Sequence, residues 1–267
     1  MTTRTHIGIG VGALAVAVLA SAAPLPANEI RWQDHPAFAA QAAAAGQAAA
    51  AGQAAGAVGG KITFAGTAPK PRPVNMGTDP VCAKVGGGVT SERLLVGAGG
   101  GLQNVFVYVK EGLGNRKFPV PTTPVTLDQK ACRYVPHVFG IQVGQPWRVT
   151  NSDDTLHNVH TLPKQNVETN FSQPKKTPAV TKTFTKVEIG VPVRCDVHGW
   201  MNGWVGVVDH PFFAVSGADG SFTIKGLPAG SYTLEAWHEV LGTQTQKVTV
   251  DAKGTGSATF SFKAARG

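Results

Sequence analysis

The chain has 267 residues, of which 42% are hydrophobic and only 15% are charged, and its net charge is +8. Its 33 Gly and 18 Pro residues break helices far more than they break folds with many turns, which excludes a large helical bundle. The basic residues are scattered and do not alternate with aromatic residues along one segment, so we expect no nucleic-acid partner.

The first 27 residues have the three parts of a secretory signal peptide. Arg4 supplies the positive start, residues 7–20 form an apolar run, and Ala20-Ser21-Ala22 is a small-residue cleavage pattern, with a second site after Ala27. The apolar run is too short to span a bilayer core of about 30 Å. We therefore expect residues 1–27 to be a signal peptide and the mature protein to be periplasmic or secreted. No stable membrane insertion is expected after cleavage.

Residues 28–57 are rich in Ala, Gly and Gln and are predicted to form a tether, because they offer little that could pack into a core. From Val58 onward, short runs of β-forming residues are separated by Gly, Pro, Asn and Asp. In one run Val105, Val107 and Val109 alternate with other residue types, as in a strand with two different faces. The fold class is therefore predicted to be all-β.

The predicted β region divides into three parts. Residues 58–103 form an N-terminal β extension, residues 104–210 a first β-sandwich, and residues 211–267 a second, smaller one. The last boundary contains Phe212 and Phe213, which are unusual in a free linker. Burying two Phe side chains is worth about 1.5–3 kcal/mol each, so we expect both to pack where the two sandwiches meet. The alternative is that Phe212 begins a strand of the second sandwich and packs only there.

The best candidate for a functional site is a short loop with three metal-binding side chains. Cys195, His198 and Met201 follow one predicted strand and precede another, and His157 lies on an upstream turn. A thiolate, two imidazoles and a weak thioether suit a copper ion that alternates between Cu(I), which favours sulfur, and Cu(II), which favours nitrogen. A structural zinc site is the main alternative, although a thioether is a poor zinc ligand.

The two motifs, C-x-x-H-x-x-M and H-N-V-H, resemble those of the cupredoxins, most closely the amicyanin and plastocyanin branch. The resemblance covers about residues 104–208 and implies a Greek-key β-sandwich with one mononuclear type 1 copper site. The implied copper ligands are His157, Cys195, His198 and Met201. The resemblance also implies that Asn158 holds the two ligand loops together by hydrogen bonds, which would fix the orientation of the ligands.

Three residues near these motifs are not assigned to the metal. His160 follows His157 by three residues, an offset that places it on the opposite face of an extended segment. Trp200 and Trp204 flank the loop, and we expect them to shield the metal from water rather than to carry electrons.

The remaining cysteines, Cys82 and Cys132, are predicted to form a disulfide. Both lie near Pro- and Gly-rich turns, and in an exported protein a pair left after the metal cysteine is accounted for indicates a disulfide. Such a bridge would contribute about 3–4 kcal/mol to stability. A second metal site that combines Cys132 with His137 is the alternative.

The C-terminal part has its own recognisable pattern, D-G-x-F-x-I-x-G-L-P-x-G-x-Y, which runs from Asp219 to Tyr232. It resembles the small prealbumin-like β-sandwich of the carboxypeptidase-regulatory type and a sandwich module of rhamnogalacturonan lyases, over about residues 212–262. The resemblance implies a fold and says little about activity. A polysaccharide is a candidate ligand of this part on that ground alone.

Among functions, one-electron transfer through the copper site is favoured, with a redox partner protein that the sequence does not identify. No nucleophile–His–acid order, paired-carboxylate motif or phosphate-binding loop is found, so we expect no enzyme. The alternatives are a copper-handling or structural protein with a non-redox site, and a carbohydrate-binding protein of the cell envelope. A copper oxidase fragment is disfavoured, because the His-x-His pairs of a trinuclear cluster are absent.

Overall fold

A computed structural model of the protein describes residues 56–86 and 88–264, and these form an almost purely β structure. The strands are β1 (Gly56–Ala65), β2 (Phe106–Glu111), β3 (Val125–Lys130), β4 (Arg133–Val135), β5 (Val138–Gln142), β6 (Trp147–Asn151), β7 (His157–Thr161), β8 (Thr169–Gln173), β9 (Val180–Lys182), β10 (Glu188–Arg194), β11 (Asn202–Val208), β12 (Phe213–Val215), β13 (Ser221–Leu227), β14 (Gly230–His238), β15 (Gly242–Val250) and β16 (Thr255–Lys263). A short helix, α1 (Pro80–Val85), and a 3₁₀ turn at Ala98–Gly100 precede β2. The predicted all-β fold class is confirmed.

The predicted signal peptide, residues 1–27, lies outside the described residues. So does nearly all of the predicted tether, whose last two residues, Gly56 and Ala57, already belong to β1. Within the described ranges, no helix has the length and the apolar character that a membrane span requires.

The strands form four sheets that enclose two cores. The sheets β5-β11-β10-β7-β8 and β4-β3-β6-β9 pack around Leu127, Phe139 and Trp147, and we call this pair the central sandwich. The sheets β12-β2-β14-β15 and β13-β1-β16 pack around Ile62 and Phe260, and we call this pair the terminal sandwich. The central sandwich is one continuous stretch of chain, whereas the terminal sandwich combines strands from both ends of the described chain.

The strand pairing joins segments that the sequence-based division had separated. β1, from the predicted N-terminal extension, pairs antiparallel with β13 and parallel with β16. β2, from the predicted first sandwich, pairs with β12 and β14 of the second. A local pattern of alternating residues encodes which face of a strand is buried, but not which strand lies beside it. The terminal sandwich therefore depends on two strands that precede the central one.

Strand β2 is buried on both faces, which explains its mixed composition. Val107 and Val109 point into the core of the terminal sandwich. Phe106 and Tyr108 point the other way, into a junction cluster shared with Val138, Val208 and Phe213. Since β5 and β11 supply Val138 and Val208, the junction cluster lies between the facing sheets of the two sandwiches.

Phe213 packs at this junction, as expected, but Phe212 does not. The rings of Phe213 and Phe106 lie 5.6 Å apart, over the backbone of Gly140 and Gly206. A Cβ atom on either glycine would collide with these rings, so the close approach of the two sheets requires glycine there. Phe212 is buried in the terminal core instead, as the alternative had it, but it does not begin a strand, since β12 starts at Phe213.

Candidate metal centre

One end of the central sandwich brings three metal-binding side chains together. Cys195 directly follows β10, His198 lies in the loop to β11, and His157 is the first residue of β7. Because β7 runs antiparallel to β10, the start of β7 lies beside the loop that follows β10. The loop is closed by its own backbone, since the N–H of Cys195 donates to the carbonyl of Met201. The fold therefore converts distant sequence positions into neighbours.

The donor atoms of this trio face one another. Nδ1 of His157 lies 2.9 Å from Nδ1 of His198, and the latter lies 3.8 Å from Sγ of Cys195. All three donors lie within 4.8 Å of one another. Donor atoms bound about 2 Å from a shared ion lie about 3–4 Å apart, so this triangle fits one metal ion. The three side chains are at most 3% exposed.

Carboxylates hold the outer nitrogens of both rings. Nε2 of His157 donates to Oδ2 of Asp153 at 2.9 Å, and Nε2 of His198 donates to Oδ2 of Asp79 at 3.2 Å. A proton kept on Nε2 leaves the lone pair of Nδ1 directed at the centre of the trio. Asp153 also accepts the backbone N–H groups of Ala131 and Cys132, so the same carboxylate holds the turn between β3 and β4 and orients the ring of His157.

The electrostatics of the trio raise the pKa of one imidazole and lower the pKa of the thiol. Burial lowers the pKa of His157, but the hydrogen bonds to Asp153 and Cys195 prevail and raise this pKa to about 9. Burial raises the pKa of the Cys195 thiol, but hydrogen bonds from His157 and from the backbone N–H groups of Asn158 and His198 bring it below its usual value. Burial also holds the pKa of His198 below its usual value, against the opposing effect of Asp79. A sulfur atom that is readily deprotonated is a ready ligand, because a metal replaces the proton.

Asn158 connects the two ligand loops. Its Oδ1 accepts the backbone N–H of Asp196 at 2.5 Å, and its Nδ2 donates to the carboxylate of the same residue at 3.1 Å. The backbone N–H of Asn158 points at Sγ of Cys195, 3.5 Å away. The carbonyl of Asn158 accepts the hydroxyl of Tyr134 at 2.5 Å, which ties this residue to the sandwich. These contacts fix the position of the Cys195 sulfur atom relative to His157.

The other residues considered in the sequence analysis, Met201, His160, Trp200 and Trp204, have different surroundings. Met201 is 1% exposed in the central core. His160 lies away from the trio and contacts Asp196 and Glu168 near the surface. The Trp200 ring lies 4.9 Å from the His198 ring, whereas Trp204 packs against Trp237 at the junction. Of the two tryptophans, only Trp200 therefore covers the loop.

Cys82 and Cys132 form the predicted disulfide, with an S–S distance of 2.04 Å. Sγ of Cys82 lies 3.9 Å from Nε2 of His198, so the bridge lies directly against the trio. Two further groups of metal-binding side chains in the described residues include Cys82 or Cys132, whose sulfur atoms are already bonded to each other. The alternative site with Cys132 and His137 is therefore wrong, and His137 instead forms an ion pair with Glu239.

The carboxylate of Asp79 covers His198, and the sequence analysis did not predict this contact. Asp79 is the N-cap of α1, and its Oδ1 accepts the backbone N–H groups of Val81 and Cys82. Its Oδ2 accepts the hydroxyl of Thr155 and contacts His198. The Asp-Pro pair at residue 79 is a recognisable helix start. The sequence offers no signal, however, that this carboxylate would contact His198, which lies 119 residues later in the chain.

Comparisons with known proteins find copper proteins over about a third of the chain. The chain is similar to an amicyanin mutant with Cu(I), at 26% identity over 33% of this chain and 85% of that one, with a TM-score of 0.29. It is similar to a copper-containing nitrite reductase from Thermus scotoductus, at 25% identity over 36% of this chain and only 24% of that one, with a TM-score of 0.28. A purple cupredoxin from Nitrosopumilus maritimus is 22% identical over 31% of this chain and 97% of that one, with a TM-score of 0.26. No protein-family profile and no curated protein matches the chain.

Proposed function

We propose that the protein binds one copper ion through His157, Cys195 and His198, with Met201 as a weak axial ligand, and that it transfers single electrons. The observation that carries this proposal is the buried convergence of two Nδ1 atoms and one Sγ atom within 4.8 Å. Two imidazoles and one thiolate, supplemented by a thioether, form the donor set of blue copper sites. Copper bound there would supply reversible one-electron chemistry.

The residues around the trio prepare it for that role. Asp153 and Asp79 hold the two rings, and the backbone N–H groups of Asn158 and His198 point at the sulfur atom at 3.5 and 3.4 Å. Groups that are already oriented need little rearrangement when the charge at the site changes. Burial of the trio also excludes water from the ligands.

The wider role follows from this site. We propose an exported protein, periplasmic or secreted, that acts as an electron carrier rather than as an enzyme. Its partner would be another redox protein, still to be identified. The terminal sandwich remains a candidate for polysaccharide binding, which retention on an insoluble polysaccharide would test.

Anaerobic titration with copper, followed by air oxidation and visible spectroscopy, tests the proposal. We expect one copper ion per chain and an intense blue band, since thiolate-to-copper charge transfer produces the colour. Cys195→Ser should remove the band while circular dichroism stays unchanged. An intense band that persists in Cys195→Ser, or a wild-type protein that binds no copper, would overturn the proposal.

A second candidate function is copper handling without electron transfer, and one observation favours it. His198 is only 2% exposed, because Asp79 and the disulfide lie against its outer nitrogen. A ligand covered in this way exchanges electrons slowly with a partner that approaches from that side. Protein-film voltammetry separates the two candidates, because an electron carrier gives a reversible one-electron wave and a storage site does not.

A further inference from the structure

A cavity of about 280 Å³ lies directly beside the loop that carries the trio. Its lining includes Trp200, Met201 and Asn202 from the loop, and Val74, Met76 and Val89 from the segment between β1 and β2. Met201 thus borders the cavity and belongs to the loop that also carries Cys195 and His198. The cavity therefore adjoins the candidate metal centre through Trp200, whose ring lies against His198, and through Met201.

Both methionines of the described chain line this cavity. The protein contains three methionines, and the third is Met1, at the start of the chain. Met76 is 4% exposed and Met201 is 1% exposed, so both thioethers are shielded from bulk water. Thioethers bind Cu(I) in preference to harder ions such as Cu(II), Mg²⁺ or Ca²⁺. Thioethers also fill gaps in apolar cores, so their chemistry here has to be tested directly.

The trio itself is closed to solvent on its other sides. His157, Cys195 and His198 are 0%, 3% and 2% exposed. The outer nitrogens of the rings are covered by Asp153 and Asp79. An ion that reaches the three donors has to pass a neighbouring side chain, and two such side chains, Trp200 and Met201, border the cavity. Of these two, Met201 carries a metal-binding atom.

The charged rim of the cavity favours a monovalent ion. Arg133 lies 3.8 Å from Glu92, and His137 and Arg93 both contact Glu239, so three cationic side chains share two carboxylates at the rim. The rim therefore has no excess of carboxylates to attract a divalent cation. Transfer of an ion from water into a poorly solvated space costs free energy that rises with its charge, and Cu(I) is penalised less than Cu(II).

We propose that this cavity is the route by which Cu(I) enters the site, with Met76 as a transient ligand that passes the ion to Met201. The inference rests on the proposed function, since it supplies the copper ion for that site. The transfer is a ligand exchange without electron transfer: the ligand of the copper donor leaves, Cu(I) keeps its charge, and the donor atoms of Cys195 and His157 release to solvent the protons that they carry as they bind the ion. Met76 takes no part in the loaded site.

The test compares loading rates of wild-type protein and Met76→Leu, a change that removes the sulfur atom and conserves the volume. Each protein receives Cu(I) from a soluble bicinchoninate complex under anaerobic conditions, or aquated Cu(II), and loading is followed by stopped-flow absorbance. We expect Cu(I) loading to slow several-fold in Met76→Leu, with an unchanged Cu(II) rate and an unchanged spectrum of the loaded, oxidised protein. Val89→Ala, which alters the same lining without removing a thioether, should load Cu(I) at the wild-type rate.

Equal Cu(I) rates in wild type and Met76→Leu would overturn the inference while leaving the copper site intact. Equal slowing for Cu(I) and Cu(II) would also overturn it, because it would mean a general loss of packing. Absence of copper binding in the wild-type protein under both conditions would instead remove the proposed function and this inference together.

A second measurement applies even if Met76→Leu fails to fold. In Cys195→Ser the site lacks its thiolate, so Cu(I) should stay in exchange with the entry route. When this variant is labelled with ¹³C-methyl methionine, Cu(I) should shift or broaden the methyl signal of Met76, and Zn²⁺ should not. A Met76 signal unmoved by Cu(I) would contradict a role for its sulfur atom.

Discussion

The central and terminal sandwiches use the same secondary structure but differ in what they bury. Of the fourteen buried polar side chains in the described part of the chain, nine belong to the central sandwich. These nine are Gln129, His137, Gln142, Gln145, His157, Asn158, Thr161, Gln173 and His198. Buried polar groups are mostly paired, and Nε2 of Gln129, for example, donates to Oε1 of Gln173 at 2.6 Å. The comparison separates a sandwich that is built around a site from one that is built around apolar packing.

The terminal sandwich shows how strands pack in a sandwich that contains no cluster of metal-binding side chains among the described residues. In β16 the buried positions are Ala258, Phe260 and Phe262, which alternate with exposed residues. Among described residues, each cluster of three metal-binding side chains includes His157 or His198, of the central sandwich. The candidate site thus lies in the sandwich that buries more polar side chains, and three of those side chains, His157, Asn158 and His198, belong to the site itself.

The largest effect is expected from a pair of histidine variants in β7. His157→Ala should abolish the blue band, because it removes one of three donors that face each other. His160→Ala, three residues along the same strand, should retain the band, because His160 contacts Asp196 and Glu168 instead. Visible spectra of the copper-loaded variants measure both. Loss of the band in both variants would mean that the contrast between the two faces of β7 is wrong.

Removal of the Phe213 ring from the junction cluster should weaken the packing between the two sandwiches. Phe213→Ala is expected to lower the free energy of unfolding by about 3–5 kcal/mol, the usual range for truncating a buried Phe. The exposed Val167, far from any core at 82% exposure, supplies the control Val167→Ala, which should change little. Urea denaturation followed by tryptophan fluorescence gives both values. A change below about 1 kcal/mol in Phe213→Ala would show that the junction contributes little.

A smaller effect is expected when the cap over His198 is opened. Asp79→Ser retains an N-cap side chain for α1 but withdraws the carboxylate from Nε2 of His198. Electron exchange of the copper-loaded protein with a soluble iron complex should become a few-fold faster. Asp154→Ser removes a surface carboxylate that pairs with Lys175 and should leave this rate unchanged. Stopped-flow kinetics measure the rates, and an unchanged rate in Asp79→Ser would mean that the cap does not limit access.

The smallest effect concerns the ion pair between His137 and Glu239. Burial lowers the pKa of His137, but the hydrogen bond to Glu239 prevails, with help from Glu92 and the carbonyl of Asn202, and the pKa lies above its usual value of 6.5. The pair therefore stabilises the fold fully below pH 6.5, and this contribution is lost as the pH rises through the higher folded-state pKa. Glu239→Gln should thus destabilise the protein more at pH 5 than at pH 9, although Arg93 also loses a partner. Urea denaturation across this range measures the difference, and a difference that does not vary with pH would count against the pair.

The candidate site could be predicted from sequence because its chemistry is concentrated in short motifs. Cys195, His198 and Met201 lie within one loop, and the pair Cys82 and Cys132 follows once Cys195 is assigned to the metal. The all-β class could be predicted because strand alternation and turn residues are local signals. These features need no knowledge of which distant segments meet.

The parts that could not be predicted depend on distant contacts. Nothing near Asp79 indicates that it will contact His198, and nothing in β1 indicates that it will pair with β16. Trp204 lies close to the loop in sequence, yet it packs against Trp237, because side chains on alternate faces of β11 point to different layers. In each case the tertiary arrangement decides, and a single sequence carries no direct record of it.

The parallel pairing of β1 with β16 has a consequence for the order in which the protein assembles. The register places Ala57 beside Thr255, so the first described strand has no final neighbour on that side until almost the whole chain is present. The nine strands of the central sandwich are contiguous and can meet earlier, because shorter loops are closed more readily. We expect pulse-labelling hydrogen exchange during refolding to protect β10 and β11 before β1. Strand β1 contains Gly56, Gly59 and Gly60, and glycine weakens a strand. Before β16 is available, β1 therefore has little tendency to pair with a wrong strand.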